Sequence, residues 1–456
     1  MKRTLIAAAV ATIVITLATL PAHDTRAAVS ADEAAKLKTT LTPMGAERGP
    51  NKDGTIPAWE GGLTKPAAGY VNGTPRPDPF PNDRPLLSIN AKNMNAHAAK
   101  LSDGVKALMA KYPDFRIDVY PTRRTGAAPQ YVYDNTLRNA TRARLVDNGQ
   151  GVEGAFGGIP FPITTNPYEI ILNHRLTWTG VNWQSPIRVW VVTADGKRSM
   201  ASGGVQTFRR QYYDPEGTPE KFDGYYTLGK FAVTEPGSKA GEAILAHDGL
   251  NAGYPRGLWQ YLVGQRRVRK APSVGYDTPD AVTSGIGLFD EAFNLFGPID
   301  KHELKLVGKR ELYIPYNNNR AALAKVAELV TPNTLNPALV RWELHRVWEV
   351  EATLAAGKRH VAAKRRYYVD EDTWQIILFD GWDAKGDLWR TNFTLTLTAP
   401  DIPAVLGNVF WGGYDLQTGA YYLNMATNEL PVQVKVLPQV TRSFFSPEEL
   451  ANEGTR

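Results

Sequence analysis

Trp342-Glu343-Leu344-His345-Arg346-Val347-Trp348-Glu349-Val350-Glu351-Ala352-Thr353-Leu354 alternates apolar and polar residues along most of its length. Successive side chains of a strand point to opposite faces. Trp342, Leu344, Trp348 and Val350 therefore share one face, and Glu343, His345, Glu349 and Glu351 the other, expected to be solvated. The run opens a region, 340–397, divided by the turns Ala355-Ala356-Gly357-Lys358, Asp370-Glu371-Asp372-Thr373 and Asp383-Ala384-Lys385-Gly386. Roughly 13 to 15 residues separate these turns, which leaves no room for the helical crossover that parallel pairing requires. The strands must pair as an antiparallel meander, which a hairpin at Asp415-Leu416-Gln417-Thr418-Gly419 extends. Indole rings in place of compact Val and Ile suit a hollow or a covering helix. Segment 287–296 offers such a helix, with Phe289, Ala292, Phe293 and Phe296 together at helical spacing. A lid across the sheet and an ordinary core helix fit this spacing equally.

Upstream, strand signals dominate from Tyr131, with runs at 168–178, 187–193, 225–234 and 258–268 and a turn at Ala194-Asp195-Gly196. Ser102 caps a helix carrying Val105, Leu108 and Met109, which Tyr112-Pro113 ends. A weaker helix precedes it at 91–100. Residues 28–88 read as an extended Pro/Gly-rich arm, with Pro75-Arg76-Pro77-Asp78-Pro79 as an example, leaving 89–456 as one domain. At the N-terminus, Lys2 and Arg3, an apolar run from Leu5 to Leu20 and small residues at Ala27 and Ala28 form a cleavable secretion signal, 1–27. The chain has no cysteine, which excludes disulfides and lipid attachment. A net charge of +6 spread over 456 residues argues against a nucleic-acid partner. The fold class is mostly β with some helix (α+β).

Catalytic patterns are scarce. Gly149-Gln150-Gly151-Val152-Glu153-Gly154 matches a nucleotide-loop spacing, but no helix can follow it. Serine-hydrolase elbow, P-loop and zinc-protease patterns are missing. His345 with Glu343 could bind a metal only with outside help, and Asp370-Glu371-Asp372 reads as a turn. No catalytic residue, metal or cofactor is assigned. Gln265-Arg266-Arg267-Val268-Arg269-Lys270 is the densest basic run; it suits phospholipid headgroups, an acidic partner or a charged strand edge.

Several segments carry a resemblance. Leu258-Trp259-Gln260-Tyr261-Leu262 followed by Arg266-Arg267-Val268-Arg269-Lys270-Ala271-Pro272 resembles the strand and basic segment of periplasmic outer-membrane lipoprotein-sorting (LolA/LolB-like) proteins. Lys305-Leu306-Val307-Gly308-Lys309-Arg310-Glu311-Leu312-Tyr313-Ile314-Pro315-Tyr316-Asn317, Thr42-Pro43-Met44-Gly45-Ala46-Glu47 and Asp53-Gly54-Thr55-Ile56-Pro57-Ala58-Trp59 are similar to a proteobacterial branch, the domain-of-unknown-function 1329 family. The resemblance implies a strongly curved open sheet, an incomplete β-barrel closed on one side by a helical lid. It also implies a periplasmic carrier of a lipid, a lipoprotein acyl chain or another hydrophobe. Partners would be an inner-membrane transporter of the resistance-nodulation-division type and an outer-membrane protein. Strand alternation and helix spacing nominate Trp259, Tyr261, Phe289, Phe293, Trp342, Trp348 and Leu378 as the cavity lining, and Arg266, Arg267 and Arg269 as partner or headgroup contacts. The rival readings are a hydrolase of envelope lipids or glycans, and a scaffold joining transporter to outer-membrane partner.

Overall fold

The computed structural model describes residues 28–271 and 275–454; the secretion signal expected at 1–27 lies outside the described residues. Among the described residues, sixteen strands form one sheet. Two short strands, β1 (Leu87–Asn90) and β2 (Arg116–Val119), come first. A meander follows: β3 (Asn182–Val192), β4 (Arg198–Arg209), β5 (Tyr225–Glu235), β6 (Ala243–Gly249), β7 (Gly257–Leu262) and β8 (Arg267–Lys270). After β9 (His302–Pro315) comes a second meander: β10 (Arg341–Leu354), β11 (Lys364–Asp370), β12 (Ile376–Trp382), β13 (Leu388–Thr394), β14 (Trp411–Asp415) and β15 (Tyr421–Ala426). The short β16 (Lys435–Val436) is last.

The meander read from 340–397 is present, and every pairing in this sheet is antiparallel except the brief contact of β2 with β10. The last strand of the second meander, β15, pairs with the first strand of the first, β3, so the two become one surface. Its order runs from β1 to β8 without closing. Turn chemistry sets the register locally: Asp383 accepts the Lys385 and Asp387 amides, and Gly386 takes a φ of +86°. Register shifts at Leu306/Gly308 and Gly381/Trp382 are bulges, which bend strands and increase their twist.

Helix α1 (Asp103–Lys111) starts where Ser102 Oγ accepts the Val105 amide at 3.1 Å and buries Val105, Leu108 and Met109. The weaker expectation at 91–100 is a 3-10 stretch, Met94–Lys100. Two strand expectations are corrected. Gln130–Ala140 is helix α2 and Pro167–Arg175 is helix α3. For α3 the local signal outweighs the β-branched, aromatic composition: Asn166 Oδ1 accepts the Tyr168 amide at 2.9 Å, and Pro167 occupies the first helical position. A final helix, α4 (Pro447–Gly454), follows Phe445.

The polar face of β10 is also corrected. Glu343, His345 and Glu349 are 0%, 1% and 3% exposed, not solvated. Alternation separates two faces but does not say what covers either. Here the Pro/Gly-rich segment and residues 120–126 lie over it. Arg124 donates to the carbonyls of Glu47, Arg48 and Pro57, and Trp59 Nε1 donates to the Gly126 carbonyl at 2.8 Å.

Candidate functional site

Strand pairing aligns Phe208, Gly229, Ala246 and Leu258 in one row across β4 to β7. The adjoining row is Gln206, Phe231 and Ile244. These rows form an apolar floor. Over it lies a covering segment, residues 281–296, with 3-10 stretches at Ala281–Thr283 and Phe289–Asn294. The expected helix is broken, because Phe293 takes a φ of +55°. The break still brings Phe289, Phe293 and Phe296 together, at ring-centre separations of 5.8 Å (Phe289–Phe296) and 5.7 Å (Phe293–Phe296). Floor and cover enclose a cavity of about 140 Å³, completed by Trp411 and Met425.

Ion pairs hold the cover down. Asp290 pairs with Arg365 at 2.8 Å and also accepts a hydrogen bond from His360 Nε2 at 3.0 Å, and Glu291 pairs with Arg390 at 3.2 Å. All of these groups are under a tenth exposed. Burial opposes ionisation of Asp290, but Arg365 and His360 outweigh it and hold the carboxyl far below its ordinary range. Arg256 stands at the rim, paired with Asp248 at 3.1 Å and stacked on Phe296 at 3.8 Å. Asp280, in the cavity wall, is pushed up to about 6 by burial. A second chamber of about 70 Å³ adjoins the first and shares Phe208, Phe293 and Phe296 with it; its polar lining includes His174, Arg175 and Arg210.

The nominated lining residues fall in four places. Phe289 and Phe293 line the cavity. Trp259 and Tyr261 lie one residue out of step with Leu258, on the opposite face of β7, where Tyr261 packs with Leu228, Phe445 and Leu450. Aromatic weight alone does not identify the hollow side of a strand. Trp342 and Leu378 meet elsewhere, with Val105 and Leu108, at a gap of about 30 Å³ beneath α1. That is room for a few waters at most. Trp348 stacks on Trp374 at 6.4 Å, with the Lys309 ammonium 5.0 Å from its ring. Arg266, Arg267 and Arg269 are exposed on the hairpin that ends in β8, the last strand of the sheet. Phe208, Phe231 and Ile244 escaped the sequence reading. The glycines at 203 and 204 dilute the alternation leading to Phe208, and cross-strand rows exist only once pairing is fixed.

A buried cluster gathers around His345. Its Nε2 is 3.2 Å from Glu343, and its Nδ1 is 3.5 Å from Asp370 and 4.0 Å from Asp372. His345, Asp370 and Asp372 could together offer three metal ligands. The cations already present compete for that role. Arg124 grips both oxygens of Asp372, at 3.0 and 2.6 Å, and Arg341 holds Glu343 at 2.5 Å. Burial disfavours an imidazolium, but Asp370 and Glu343 outweigh it and raise His345 to about 9. With Glu343, His345 and Asp370 at most 1% exposed, no substrate reaches the cluster in this conformation.

No helix of the described residues is long and apolar enough to cross a membrane. Solved structures similar to this chain include a DUF1329 family protein from Desulfovibrio piger, with TM-score 0.42 and 13% identity over 63% of this chain and 100% of that one. A LolA superfamily protein from Nitrosomonas europaea aligns with TM-score 0.35 and 10% identity, again over 63% and 100%. An uncharacterized protein of Pseudomonas aeruginosa is 38% identical over 444 residues, 96% of each chain. The family described as "Protein of unknown function (DUF1329)" matches residues 88–451, a span that includes both meanders and the covering segment between them. On that match and that identity, the chain belongs to the DUF1329 family.

Proposed function

We propose that the protein is a periplasmic carrier that holds a hydrophobic guest, such as a lipid or an acyl chain, between the covering segment and the floor of β4 to β7. The observation that carries this reading is the cavity of about 140 Å³ walled by Phe208, Phe231, Phe289 and Phe293. The gap at Trp342 is about 30 Å³ and the adjoining chamber about 70 Å³; two roomier clefts, at Trp178 and at Tyr254, lack this cluster of phenylalanines. Water gains little in an apolar hollow, whereas each methylene moved from water into it contributes roughly 0.8 kcal/mol. The signal-like residues 1–27 fit a periplasmic location. The exposed Arg266, Arg267 and Arg269 on the edge hairpin suit lipid headgroups or an acidic partner. An inner-membrane transporter of the resistance-nodulation-division type and an outer-membrane protein are the partners this reading calls for.

Mass spectrometry of an organic extract of the purified protein tests for a guest. Ala246→Trp, which fills the floor, tests its place. The extract should contain a lipid, and the variant should bind a fluorescent fatty acid at least about ten-fold more weakly, some 1.4 kcal/mol. Uptake undiminished in Ala246→Trp, with the fold intact by circular dichroism, would move the guest out of this cavity.

A further inference from the structure

A buried guanidinium is costly unless an anion faces it. Seven described arginines are less than a tenth exposed. Six have a carboxylate within 3.5 Å, among them Arg365 on Asp290 and Arg390 on Glu291. Arg210 is the seventh. Its Nη1 donates to Thr179 Oγ1 at 3.0 Å and its Nη2 to the Arg175 carbonyl at 3.3 Å. Its Nε has no partner among the described residues. Burial lowers its hold on its proton, and nearby tyrosines offset this only in part.

Arg210 lines the second chamber, and among the described residues no Asp or Glu lines that chamber with it. The other charged group there is a further cation, Arg175, tied to the carbonyls of Gln150 and Gly297. His174 is neutral: burial depresses it to about 3, and its Nδ1 accepts the Ile376 amide. The carboxylates of the neighbouring cavity are engaged elsewhere, Asp248 by Arg256 and Asp280 by the Val282 amide. The chamber is thus a positive space that adjoins the apolar cavity and shares Phe208, Phe293 and Phe296 with it. Arg210 lies two residues beyond Phe208, in phase with it along the chain.

We infer that the guest is an amphiphile with a single anionic head, a carboxylate or a phosphate, whose head sits against Arg210 and Arg175 while its hydrocarbon tail fills the apolar cavity. The inference rests on the carrier reading and narrows it to a ligand class. Its anion supplies the charge that the protein leaves missing at Arg210.

The test is displacement of a neutral naphthylamine probe from lipid-free protein. The competitors are hexadecanoate, hexadecyl phosphate, hexadecanol and inorganic phosphate, the three amphiphiles below their micellar concentrations. Both anionic amphiphiles should displace the probe at least about ten-fold more effectively than hexadecanol, and inorganic phosphate should not displace it. Arg210→Gln, which can still donate to Thr179, should erase the gap by weakening the anions while leaving hexadecanol unchanged. Arg210→Lys should keep much of it. Equal binding of hexadecanol and hexadecanoate by the unaltered protein overturns the inference and leaves the carrier standing; this comparison needs no variant. A gap that survives in folded Arg210→Gln overturns it too, as does inorganic phosphate acting as strongly as hexadecyl phosphate. If none of the amphiphiles displaces the probe, the carrier reading fails and takes the inference with it.

Discussion

His345 shows what one side chain's surroundings can impose. Glu343 and Asp370 stand 3.2 and 3.5 Å from its two ring nitrogens, with Asp372 at 4.0 Å. Their pull on a proton outweighs burial, and its pKa rises from an ordinary 6.5 to about 9. A folded-state pKa above the unfolded one contributes stability that is fully present below about pH 6.5 and is lost as the pH climbs through 9. Thermal midpoints should therefore fall between pH 7 and 10. In His345→Gln that part of the slope should flatten, from a lower starting midpoint. A wild-type midpoint that stays level across this range would mean that the proton is not held. The strand around His345 is legible from alternation, but its burial is not. Glu343 and His345 look like ordinary polar positions until a segment almost 300 residues away in sequence covers them.

At the scale of the element, the covering segment combines a weak local structure with strong anchors. Its backbone leaves helical geometry at Ala292 and Phe293, so it has no continuous helical hydrogen-bond ladder of its own. Buried ion pairs at Asp290 and Glu291 fix it to β11 and β13. Removing one partner of such a pair costs roughly 3–5 kcal/mol, because the other charge is left buried. Part of that cost is relieved if the segment lifts instead of the whole protein unfolding. Asp290→Asn should thus lower the thermal midpoint and also speed probe release at least about ten-fold, read by stopped-flow dilution. Release at the wild-type rate would mean that the guest leaves by another way. The sequence supplied the phenylalanine spacing of this segment, which fits a lid over the sheet and an ordinary core helix equally. It did not supply the kink or the anchors, since Arg365 and Arg390 reach Asp290 and Glu291 only after β11 and β13 have paired.

Across the whole molecule, the sheet has to hide two faces, and different parts of the chain cover them. On the first meander the covering segment takes one face and the C-terminal residues the other, where Phe445 and Leu450 meet Leu228 and Tyr261. Phe445→Ala should cost about 3–5 kcal/mol of stability, as buried aromatic truncations do. It should leave probe affinity unchanged, because the cavity is on the opposite face. Calorimetry with a parallel titration checks both, and a comparable loss of affinity would mean that the two faces communicate. What the sequence by itself determined is the local grammar: an antiparallel meander whose turns fall at Asp370 and Asp383, the start of α1 at Ser102, and a phenylalanine cluster at 289–296. Those features follow from side-chain periodicity and turn chemistry within a dozen residues. Tertiary structure alone decided which face is hollow, why Trp259 and Tyr261 miss the cavity, and that Arg210 is buried without a carboxylate. Each of these depends on strands and loops distant in sequence, and both hydrophobic burial and electrostatic compensation are set by what packs against a residue, not by the residue's own neighbours along the chain.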